Sequence, residues 1–82
     1  MIAIPDPTYG LVVFDGSVIE VFESNAKSRR YHLKMIKSIE LVEKKNYIEL
    51  KYSDLNMSQH IPFKAEAMEQ ARELVNTVRA AL

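Results

Sequence analysis

The sequence predicts an α+β, mainly β domain: an antiparallel sheet of about six short strands, closed by one C-terminal helix. Three observations predict it. Short segments of alternating apolar and polar residues recur along the first three quarters of the chain, each bounded by turn-forming residues. Asp15-Gly16 stands between two apolar runs, a strong local signal for a β-hairpin. After Phe63 the apolar spacing changes from two residues to three and four, the period of an amphipathic helix.

In chain order, Pro5 and Pro7 make residues 1–9 an extended, irregular arm, because each proline fixes its own φ and restricts its predecessor. The domain proper is expected over 10–82. Leu11-Val12-Val13-Phe14 and Ser17-Val18-Ile19-Glu20-Val21-Phe22 pair across Asp15-Gly16. With a two-residue loop, Phe14 is expected opposite Ser17, Val13 opposite Val18, and Val12 opposite Ile19. One face then carries Val12, Phe14, Ile19 and Val21. The other carries Leu11, Val13, Val18, Glu20 and Phe22.

A polar loop follows at 24–28. Residues 29–33 alternate, with Tyr31 and Leu33 on one side and Arg30, His32 and Lys34 on the other. The spacing of Leu33, Ile36 and Ile39 is too wide for one strand and predicts a short turn near 35–37. A strand resumes through Ile39 and Leu41, and Lys45-Asn46 reverses it. Ile48, Leu50 and Tyr52 point inward, with Glu49 and Lys51 outward. Asp54-Leu55-Asn56 makes another turn, and 57–63 gives the sixth strand, where Pro62 predicts a strand end or a sheet edge. Ala67, Met68, Ala71, Leu74, Val75, Val78 and Leu82 then form one stripe of a helix over about 65–81, opposite Glu66, Glu69, Gln70, Glu73 and Asn76.

Eighty-two residues allow one domain and no second core. Cysteine is absent, which excludes thiol catalysis and thiolate metal sites and fits a reducing compartment. The net charge of zero argues against nucleic acid as the main partner. The N-terminal residues lack the pattern of a signal peptide, and no apolar stretch approaches the roughly 20 residues that span a bilayer. The expectation is a cytoplasmic protein, or a module cut from a larger one.

Gly10-x-x-x-Phe14-Asp15-Gly16-x-x-Ile19-x-Val21, then Leu33-x-x-Ile36-x-x-Ile39, then Ile61-x-Phe63 running into the helix, give a pattern that resembles the small bacterial pleckstrin-homology-like (PH-like) domains. It covers the chain from Gly10 onward and specifies turns and core positions. The resemblance implies a partly open barrel, or two packed sheets, with the helix plugging one end, and a binding or assembly role instead of catalysis. One departure matters. Phosphoinositide-binding members use a basic motif around a generous first hairpin loop, whereas here the loop is Asp15-Gly16 and no Lys or Arg precedes Lys27. That pocket does not carry over.

Two surfaces are candidates for function. A sheet needs one buried face, and Val12, Phe14, Ile19 and Val21 supply it. Leu11, Val13, Val18 and Phe22 are then surplus, the composition of an interface for a protein partner or a second copy of the chain. The alternative is that the arm, through Ile2, Ile4 and Tyr9, or the helix covers them. The second candidate follows from charge segregation. Residues 1–23 carry Asp6, Asp15, Glu20 and Glu23 and no base, whereas 24–37 carry Lys27, Arg29, Arg30, Lys34 and Lys37, with His32, and no acid. Those six basic residues suit an anionic group, on an acidic peptide or an acidic membrane surface. Against this, Glu20 and Glu23 are expected beside Arg29 and Arg30 as cross-strand pairs.

His32 and His60 have no metal-site spacing, and His60 is expected at the surface. No phosphate loop, nucleophile elbow or paired-carboxylate motif is present, so neither an enzyme nor a cofactor is expected. The sequence favours a protein-interaction or assembly module, with anion binding as the alternative.

Overall fold

The computed structural model describes residues 1–6, 10–23, 27–52 and 58–82. Strand β2 (Gly10–Phe14) and strand β3 (Val18–Phe22) form the expected hairpin, but the reversal is not made in two residues. Phe14 lies opposite Ile19, Val13 opposite Glu20, and Val12 opposite Val21, so the register is shifted by two residues from the expected one. The cause is the side chain of Asp15. Its Oδ1 accepts the backbone N–H groups of Ser17 and Val18, each at 2.9 Å, and so enlarges the turn. Gly16, at φ 107°, supplies the conformation that an L side chain resists. A shift of two preserves alternation. Val12, Phe14, Ile19 and Val21 are therefore still the buried face.

The expected irregular arm is a strand over most of its length. β1 (Ile2–Asp6) runs antiparallel to β2, with Ile4 opposite Val12 and Pro5 opposite Leu11. Pro5 is tolerated because β1 is an edge strand, where a missing N–H breaks no ladder on the open side. Ile4 is fully buried and Ile2 packs against the core, which anchors the segment. β4 (Ser28–His32) adds to β3 and completes a four-stranded sheet in the order β1-β2-β3-β4. Tyr9, most of the polar loop at 24–28, the turn at 54–56 and Met57 lie outside the described residues.

Past β4 a 3₁₀ turn, Leu33–Met35, swings the chain into a second antiparallel sheet of β5 (Ile36–Val42), β6 (Tyr47–Tyr52) and β7 (Ser58–Pro62), in that order. The turn starts two residues earlier than the apolar spacing predicts. Tyr52 fastens this corner: its hydroxyl accepts the His32 N–H at 3.1 Å, and its ring meets Tyr31 edge to face at 5.2 Å. Between β5 and β6 a second 3₁₀ turn ends at Asn46, whose φ of 54° is the left-handed conformation that Asn tolerates best among non-glycine residues. Pro62 closes β7 at the edge of its sheet, as expected.

A 3₁₀ turn, Ala65–Ala67, leads into helix α1 (Met68–Ala81), which packs against β5 and β1. Its stripe of Ala71, Leu74, Val75 and Val78 is buried, whereas Leu82 lies past the last buried turn and is exposed. Arg79 Nε donates to the Ile39 carbonyl at 3.0 Å and so caps the open edge of β5. The fold is thus α+β, with two antiparallel sheets and one C-terminal helix around a shared core that includes Ile4, Ile19, Ile48, Leu50, Ile61 and Leu74. Among the described residues no helix is long and apolar enough to cross a membrane.

Candidate functional site

The register of the four-stranded sheet assigns its outward side chains to rows. Pro5, Leu11, Phe22 and Ser28 make one row; Ala3, Val13, Glu20 and Arg30 the next; Val18 and His32 the last. The β1–β2–β3 part of this face is apolar except for Glu20. Leu11 is 38% and Phe22 40% exposed, and they stand directly opposite each other. Val13 and Val18 are half-buried, and Ala3 and Pro5 are exposed. Among the described residues, neither 1–6 nor the helix folds over Leu11 and Phe22. β1 lies beside β2 instead, and thereby extends the apolar surface by Ala3 and Pro5. Sequence reasoning missed these two residues. The only signal was the alternation of Ile2 and Ile4, outweighed by the two prolines.

The basic segment is divided by the fold. Arg30 points to the outer face and donates from Nε to Glu20 Oε2 at 2.8 Å across the β3–β4 ladder. Arg29, one residue earlier, points to the opposite face. Its Nε lies 3.1 Å from Glu23 Oε1 without hydrogen-bond alignment, while Nη1 donates to the Tyr31 hydroxyl at 3.0 Å and to the His60 carbonyl at 3.4 Å. Both cross-strand pairs expected from the charge pattern therefore form, and Arg29 also bridges β4 to β7. Lys27 precedes β4, His32 ends it, Lys34 sits in the 3₁₀ turn and Lys37 on β5, all exposed. The six residues do not converge on one point.

On the outer face of the second sheet, Glu49 accepts a hydrogen bond from Ser58 Oγ at 3.2 Å through Oε1 and lies 3.7 Å from His60 Nε2 through Oε2. Tyr47 stacks on His60, with ring centroids 4.3 Å apart. His60 is 52% exposed, a surface position as expected. The carboxylate stands between hydroxyl and imidazole, so the imidazole is not placed to activate Ser58 as a triad histidine would. Among the described residues no three His, Asp or Glu side chains are grouped to hold a metal ion.

No family model, curated protein or solved structure matches the chain. Two surfaces stand out on the chain, the apolar outer face of the first sheet and the basic end near Lys34.

Proposed function

We propose that the chain is a non-catalytic, cytoplasmic assembly module of PH-like fold, and that it self-associates through the outer face of its four-stranded sheet. The order of elements supports the fold assignment: four antiparallel strands, a corner, three more, and a helix laid against the edge strands β1 and β5. The observation that carries the function is the exposed Leu11–Phe22 pair, set in an apolar surface that includes Ala3, Pro5, Val13 and Val18. Sheets with such faces pack against one another at about 10 Å.

A second copy suits this face for two reasons. Among the described residues its one acid, Glu20, is already paired with Arg30 of the same chain, so the partner need bring no compensating charge. The chain is also neutral overall, so two copies do not repel. Sedimentation velocity across a concentration series tests the proposal. We expect a dimer that Phe22→Ser and Leu11→Ser each weaken while the monomer, followed at a concentration too low for association, stays folded at a cost of about 1 kcal/mol. A strict monomer at the highest concentration overturns it.

A further inference from the structure

Where the β2–β3 turn, the Leu33–Met35 turn and the last turn of α1 come together, two hollows adjoin. The first, of about 370 Å³, is lined by Gly16, Ser17, His32, Leu33 and Lys34. The second, of about 560 Å³, is lined by Leu33, Lys34, Ile36, Lys37, Ala81 and Leu82. Leu33 and Lys34 belong to both. The floor is apolar: Leu33 packs on the core, Ile36 is 6% exposed, and Leu82 at the far wall is 53% exposed. The rim is basic at Lys34, which borders both hollows, with His32 beside it in the first. Among the described residues no acidic side chain lines either hollow. Asp15, the acid on the neighbouring turn, is committed to the backbone N–H groups of Ser17 and Val18.

An apolar floor beneath a basic rim selects for two chemistries in one ligand. A bare anion gains nothing from Leu33 and Ile36, and a neutral chain gains nothing from Lys34. Each hollow has the volume of a small-molecule site and is concave, whereas a bilayer offers a flat surface. We propose that the double hollow binds a single-chain anionic amphiphile, an aliphatic carboxylate whose head lies against Lys34 and whose chain runs over Leu33 and Ile36 toward Leu82. The first hollow adjoins the outer face at His32, opposite Val18, but Leu33, Lys34 and Leu82 are not part of the Leu11–Phe22 surface, and binding there does not depend on self-association.

Amide-shift titrations of the intact chain with sodium octanoate, sodium acetate and octylammonium chloride test it. Octanoate is expected to give saturable shifts at Leu33, Lys34 and Leu82, and the other two none there. Lys34→Glu, at an exposed position, should keep the folded spectrum, weaken octanoate about tenfold and admit octylammonium. Four results overturn the proposal: acetate matching octanoate, octylammonium matching octanoate on the unmodified chain, octanoate shifts confined to Leu11 and Phe22, or Lys34→Glu leaving the affinity unchanged. Binding to anionic phospholipid vesicles without any response to octanoate would also overturn it, in favour of a membrane surface.

Discussion

Gly10 and Gly16 hold nearly the same positive φ, 101° and 107°, but their surroundings differ. A Cβ at Gly16 would meet open space, so alanine there adds only the strain of the backbone conformation, about 1–3 kcal/mol. A Cβ at Gly10 would run into the carbonyl oxygen of Phe22, part of the rigid β2–β3 ladder. Gly10→Ala is therefore expected to destabilise the chain more than Gly16→Ala, and urea unfolding of the two variants measures the difference. Asp15 gives a prediction in pH. The N–H of Ser17 first, then that of Val18, favour its ionised carboxyl and hold its pKa below the ordinary 3.8. A group depressed in the folded state stabilises it fully above the unfolded pKa, and the contribution is lost as pH falls through the folded value. Asp15→Asn keeps an acceptor oxygen but removes the charge. The advantage of the parent over this variant should shrink as pH is lowered from about 6 to about 3. A constant gap would mean that the turn does not discriminate between the two protonation states.

At the scale of elements, what the sequence made legible was parity. Side chains alternate along a strand, so Val12, Phe14, Ile19 and Val21 were assignable to the core although the pairing partner of Phe14 was not. The pairing depended on Asp15 bonding forward to Ser17 and Val18, a local choice of turn that the dipeptide Asp-Gly leaves open. β1 was hidden because proline argues against strands in general but not against an edge, and with it Ala3 and Pro5 of the outer face were hidden too. The Lys34 hollow was illegible for another reason: Leu33 and Leu82 meet there only because α1 returns along β5. The helix itself was plain in its three-and-four spacing, and its role can be tested. Leu74 is fully buried, so Leu74→Ala should cost roughly 2–5 kcal/mol in chemical denaturation. Arg79→Met keeps the stem but strips the Ile39 carbonyl of its donor, which should cost about 1 kcal/mol. An unchanged midpoint for Arg79→Met would show that water caps the edge of β5 equally well.

The molecule as a whole carries two surfaces of opposite character, and salt separates them. The Leu11–Phe22 face is apolar, its acid is paired within the chain, and the chain has no net charge. Association there is driven by removing apolar area from water, which salt does not screen. The Lys34 hollow draws its ligand by charge at an exposed rim, where about 1 M salt shortens the screening length to about 3 Å. Raising sodium chloride from about 0.05 M to about 1 M should therefore leave the dimer dissociation constant unchanged or lower it, while octanoate binding weakens. Both can be followed on one sample, by sedimentation for the first and amide shifts for the second. If the dimer dissociates with salt, its contact is ionic, and the Glu20–Arg30 pair has opened to bridge the two copies instead of staying closed within each.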